Sequence, residues 1–146
     1  MKKSIGWVII ALIAISLTSL SPVKTETKLD GVWELVNHYT FDGQDVIDTI
    51  PPTDGYRQIK MYANGKVMWT RYVPKDSVEW FGYGSFNYSN SELTETLEYG
   101  SASMMKIVDT MRVFTFEVNY SPDYFSQISL DGDGNRTISE NYRRIK

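Results

Sequence analysis

Along most of the chain, apolar and polar residues alternate in short runs broken by turn-forming clusters. A period of two marks extended strands whose side chains point alternately to two faces. Eight such runs are predicted as strands: 32–41, 56–62, 66–73, 79–88, 92–99, 111–120, 124–130 and 136–145. Asn64-Gly65 lies between the second and third, and its residues tolerate the positive φ of a type I′ hairpin. Ser89-Asn90-Ser91, Ser121-Pro122-Asp123 and Asp131-Gly132-Asp133-Gly134-Asn135 punctuate later boundaries. Asp42 to Gly55 reads as a long polar loop, because Pro51-Pro52 and Asp54-Gly55 oppose both helix and central strand. Gly100 to Asp109 is a loop with room for a short helical turn. Short turns favour antiparallel neighbours, and eight such strands can close without leaving an edge. The expectation is an all-β domain: an eight-stranded antiparallel up-and-down β-barrel.

Parity assigns faces within each run. In the first, Trp33, Leu35, Asn37, Tyr39 and Phe41 share one side, with Glu34 and His38 on the other, solvent-facing side. In the fifth, Leu93, Glu95, Leu97 and Tyr99 fall together. Phe114, Phe116, Val118 and Tyr120 do so in the sixth, and Ile138, Glu140, Tyr142 and Arg144 in the eighth. The second and third runs stay ambiguous. A two-residue turn pairs Lys60 with Trp69 and Tyr62 with Val67, but Ile59, Met61, Met68 and Thr70 form the more apolar set. Glu95 stands between two leucines, where an unpaired carboxylate would be costly. It can pair with Lys60 or Arg144, or hold a polar group of a ligand.

The N-terminus changes the picture of location. Lys2 and Lys3 precede an almost wholly apolar stretch from Ile5 to Leu20, followed by small residues, as in a secretory signal peptide. The reading is a signal peptide over 1–22 with an uncertain cleavage position, a linker over 23–28 and a domain over 29–146. The rival is an uncleaved membrane anchor. Cleavage implies an exported protein, periplasmic or secreted, with no further membrane association. Loss of the leader leaves 13 basic against 18 acidic residues, a balance that repels phosphate backbones and argues against nucleic acid. With no cysteine, disulfides, thiolate nucleophiles and cysteine zinc sites are excluded.

Little else points to catalysis, a metal or a cofactor. His38 is the single histidine, with no second one to complete a transition-metal site and no Gly-x-Ser-x-Gly elbow for it to serve. Asp131-x-Asp133-x-Asn135 copies the start of a calcium loop, but Arg136 replaces its glycine and Tyr142 its bidentate glutamate. An acidic hairpin turn is the simpler reading. Glu95 and Glu140 leave room for paired-carboxylate chemistry.

Three short signals then align. Gly31-Val32-Trp33 opens the first run, Pro122-Asp123-Tyr124 separates the sixth and seventh, and Arg143 or Arg144, by parity Arg144, ends the eighth. In this order they resemble the lipocalins and related calycins, and in particular small exported bacterial lipocalin-like domains. Lys60-Met61-Tyr62 with Gly65 and Trp69, and Gly84-Ser85-Phe86 followed by Thr94-Glu95, support that likeness. The resemblance implies that Gly31, Trp33, Asp123, Tyr124 and Arg144 form the structural closure, Arg144 packing over Trp33. It also turns Lys60, Tyr62 and Trp69 inward. The expected function is binding of a small apolar or amphipathic molecule inside the barrel, by Tyr39, Lys60, Trp69, Glu95, Leu97, Phe116 and Tyr142. The alternatives are a filled barrel acting as a protein- or glycan-interaction module of the cell envelope through residues 42–55, and an enzyme using the interior carboxylates. The oligomeric state is left open.

Overall fold

A computed structural model describes residues 27–75 and 78–146; the signal-peptide reading and most of the linker lie outside them. The elements in order are β1 (Gly31–Asp42), β2 (Asp45–Ile50), β3 (Arg57–Ala63), β4 (Lys66–Tyr72), β5 (Trp80–Ser89), β6 (Glu92–Gly100), α1 (Ala102–Val108), β7 (Val113–Tyr120), β8 (Tyr124–Leu130) and β9 (Arg136–Ile145). All strand pairs are antiparallel, in one sheet ordered β2-β1-β3-β4-β5-β6-β7-β8-β9, with β1 also pairing to β9.

The all-β class stands, but the evenly closed eight-stranded up-and-down β-barrel does not. The described chain has nine strands, and the ring they make does not close evenly. β3 meets β1 only from Gly31 to Glu34. From His38 to Asp42 the same edge of β1 is taken by β2, while β9 follows the opposite edge. The segment read as a polar loop therefore supplies β2, whose Val46, Ile47, Thr49 and Ile50 suit extended backbone. It ends where Pro51 withdraws a donor. Every β2 residue is exposed, so no burial pattern marked it.

Asn64 and Gly65 take φ of 52° and 73°, as a type I′ turn demands, and Lys60 faces Trp69 across the hairpin. Trp33 lies opposite Lys60 on β3's other side, so these three side chains share a face. Burying Trp33 carries Gln58, Lys60, Tyr62 and Val67 inward and leaves Met61 and Met68 nearly half exposed. The apolar count alone pointed the other way.

Irregular register corrects three further expectations. Leu35 pairs with Tyr142 but Asn37 with Asn141, so Val36 is an extra residue in β1. A bulge of one residue exchanges the two faces beyond it. His38, expected toward solvent, stands beside Glu140 on the inner face. Tyr39, expected inside, pairs with Ser139 and is absent from the cavity wall. A second irregularity between Tyr83 and Gly84 has the same effect on β6 and leaves Tyr99 exposed.

Two clusters form the core. The larger packs Trp33, Leu35, Tyr62, Phe86, Leu93, Phe125 and Tyr142 near the start of β1, with Trp33 edge-on to Phe125 at 4.8 Å and Phe125 stacked on Tyr142 at 4.9 Å. The smaller joins Leu97 to Met104 and Val108 of α1, with Trp69, Trp80 and Phe114 against them. Ser101 caps α1 by accepting a hydrogen bond from the Met104 N–H at 3.3 Å, which satisfies an otherwise orphaned donor.

Candidate functional site

One pole of the sheet is plugged. Gly31 adopts φ +139°, a conformation that L side chains rarely adopt, and a Cβ there would collide with the Arg144 guanidinium. That guanidinium lies 4.0 Å from the Trp33 ring centroid. It donates to the Asp30, Pro122 and Lys28 carbonyls at 2.6, 2.7 and 3.0 Å. Trp33 is fully buried and donates its indole N–H to the Leu29 carbonyl at 2.8 Å. The Asp123 carbonyl accepts from the Arg144 backbone N–H at 2.8 Å. Tyr124, named with this closure from its motif, exposes about half of its surface and pairs with Arg143 at the start of β8.

At the other pole the interior is not filled. A cavity of about 350 Å³ opens between α1 and the inner face of the sheet, at the lower end of the ~300–1,000 Å³ common for ligand pockets. Its wall is apolar and aromatic: Trp69, Trp80, Leu97, Phe114 and Phe116 from the sheet, Met104 and Ile107 from α1. Its floor is polar. Of the interior residues named from sequence, Lys60, Trp69, Glu95, Leu97 and Phe116 border this space. Tyr142 is fully buried beneath it, and Tyr39 lies elsewhere.

The floor comprises two hydrogen-bonded groups. In the first, the Lys60 ammonium meets Glu95 Oε1 at 2.9 Å and also donates to Gln127 Oε1. The Tyr62 hydroxyl donates to the same Glu95 oxygen at 2.5 Å. Lys60 and Glu95 are each only 3% exposed, so this is a desolvated ion pair, and Glu95 is held by Lys60 and not by Arg144. In the second, Gln58 donates to the Tyr142 hydroxyl at 2.6 Å, which donates onward to Glu140 at 2.6 Å. Tyr56 and Arg71 donate to Gln58 Oε1 at 2.6 and 3.1 Å, and Arg71 also stands 3.7 Å from Glu140. Among the described residues, no sealed side-chain polar atom lacks a partner.

Electrostatics follow from this layout. Burial, reinforced by the Glu95 charge, pushes the Tyr62 hydroxyl well above its ordinary pKa; burial and Glu140 do the same to Tyr142. For Glu140, burial opposes ionisation, but the Lys60 charge and hydrogen bonds from Tyr142 and Gln58 prevail and hold its pKa below the usual carboxylate value. Both tyrosines stay protonated donors and Glu140 a charged acceptor at neutral pH.

Gln58, Arg71 and Gln127 escaped sequence reasoning, although Gln58 shares parity with Lys60 and Tyr62. The trace of His38 was erased by the bulge at Val36. The Asp131 carboxylate accepts from the backbone N–H groups of Asp133 and Asn135 at 2.9 and 2.8 Å, which makes this stretch a self-capped hairpin turn. No group of three or more metal-ligating side chains occurs among the described residues, and none of their helices is long and apolar enough to cross a membrane.

No family model matches the chain, and no curated protein matches it. Solved structures do. An uncharacterized protein from Bacteroides eggerthii aligns with 80% of this chain and 99% of its own, at 16% identity and a TM-score of 0.53. A lipocalin-like protein from Bacteroides uniformis aligns with 82% of this chain and 100% of its own, also at 16% identity and a TM-score of 0.53. At that identity the likeness concerns fold alone.

Proposed function

We propose that this chain is an exported domain that takes up a small amphipathic molecule in the cavity between α1 and the sheet. One observation carries the reading: an aromatic wall stands over a polar floor in which every sealed side-chain atom is hydrogen-bonded, with open volume left between them. An apolar body would gain from leaving water against Trp69, Trp80 and Phe116, while a polar end would be oriented by the floor. Binding suits this arrangement better than catalysis, since Glu95 and Glu140 are both engaged by cations and tyrosine hydroxyls. A second reading, an envelope interaction module, has the fully exposed strand β2 in its favour.

Native mass spectrometry of protein purified from its own source tests the first reading by asking whether a small molecule co-purifies. In parallel, an apolar fluorescent dye is titrated against the protein and against an Ile107→Trp variant, which narrows the cavity at a residue that is 36% exposed. Saturable uptake by the parent chain, weakened in the variant, is expected. Absence of both a co-purified molecule and dye uptake overturns the proposal.

A further inference from the structure

We infer that the molecule taken up carries an uncharged polar end with both a hydrogen-bond donor and an acceptor, a hydroxyl or carboxamide, and not a carboxylate. This deepens the binding proposal above and rests on it. The floor is already neutral by pairs: Lys60 against Glu95 at 2.9 Å, and Arg71 facing Glu140 at 3.7 Å. Lys60 is the most deeply placed cation, yet its ammonium is committed to Glu95 Oε1 and Gln127 Oε1. Arg71 is committed through Nε to Gln58.

A carboxylate would enter a space that already holds two carboxylates and offers no unmatched cation. Placing a third anion there leaves a desolvated charge without a counter-charge. An ammonium end is disfavoured by the mirror-image difficulty, because Glu95 already holds Lys60.

What the floor does offer is one unused acceptor and one unused donor, on two residues whose Oε1 atoms share the Lys60 ammonium. Within the described residues, Glu95 Oε2 and Gln127 Nε2 have no hydrogen-bond partner, although their sister atoms Oε1 are both engaged by Lys60. No sealed polar side-chain atom is unpartnered, and both residues border the cavity. These two atoms therefore open onto it. A hydroxyl can donate to Glu95 Oε2 and accept from Gln127 Nε2, and a primary carboxamide can do the same. A hydrogen-bonding site of this kind rejects an analogue that leaves its groups unmatched.

The test is a matched series at neutral pH: octanol, octanamide, octanoate and octylamine, each titrated by calorimetry and by displacement of the apolar dye. Octanol and octanamide are expected to bind at least tenfold tighter than octanoate and octylamine. Glu95→Gln frees the Lys60 charge while keeping an acceptor for it, and should move the preference toward octanoate by tenfold or more. Gln127→Met removes the unused donor and should weaken octanol and octanamide several-fold, which serves if Glu95→Gln does not fold. Octanoate binding the parent chain as tightly as octanol overturns this inference alone, as does an unchanged ranking in folded Glu95→Gln. Dye uptake that none of the four displaces also overturns it. Failure of the dye and all four probes overturns the binding proposal together with it.

Discussion

Replacing Lys60 by Met isolates the energetics of the cavity floor. The substitution keeps much of the side-chain volume and removes the charge, so Glu95 stays 3% exposed with only the Tyr62 hydroxyl as donor. Removing one partner of a buried ion pair typically costs ~3–5 kcal/mol, because the remaining charge is neither solvated nor paired. Gln127 Oε1 loses its donor as well, which places the expectation in the upper half of that range, at about 4 kcal/mol. With a urea m-value of ~1.5 kcal/mol/M, typical of small domains, the unfolding midpoint should fall by ~2.7 M. The partner experiment is Lys60→Met with Glu95→Gln. Neutralising the orphaned carboxylate should recover at least half of the loss, since replacing both members of a buried pair costs far less than replacing one. Urea titrations followed by tryptophan fluorescence and circular dichroism report both numbers. A single-variant cost below ~1 kcal/mol, or a double variant no more stable than the single, would refute the idea of a desolvated pair at the floor.

The closed pole and the acid and alkaline limits yield three further expectations. Arg144→Ala removes a stacked guanidinium and three bonds to backbone carbonyls and should cost about 3 kcal/mol in the same titration; Arg144→Lys, lacking the planar fork, should recover less than half. Gly31→Ala should cost roughly 2–3 kcal/mol, from strain at positive φ and displacement of Arg144, and a Tm within error of the parent would contradict it. Glu140 has a depressed pKa, so its contribution is present above its ordinary value of 4.5 and is lost as the pH falls below that. Tyr62 and Tyr142 have raised values, so their contribution is full below the ordinary 10.0 and is lost as the pH rises past it. Thermal unfolding across pH should show both limbs, with Glu140→Gln flattening the acid one and Tyr62→Phe the alkaline one.

The residues that plug the closed pole were legible because their information is local or carried by short motifs. The resemblance carried by Gly31-Val32-Trp33 and by an arginine at the end of the last strand implied the contact of Arg144 with Trp33, which the structure contains. The strands themselves were visible from alternation and turn chemistry. Three things were not. The inward face of β3 and β4 is polar, and Lys60 and Gln58 are tolerable there only because Glu95, Gln127 and Tyr142 arrive from distant strands. The bulge at Val36 depends on how β1 registers with β9, about a hundred residues away in sequence, so parity carried past it misplaced both His38 and Tyr39. β2 buries nothing, and a strand without a buried face leaves no alternation to read.

The Arg144 clasp also determines how the molecule can be held from outside. Its three carbonyl partners include Lys28 and Asp30 at the start of the described chain, while Ile145 pairs with Val32 one residue from the C-terminus. Both described ends thus emerge at the plugged pole, and the cavity mouth looks the other way. A handle or solid support joined at the last described residue therefore leaves from the plugged pole.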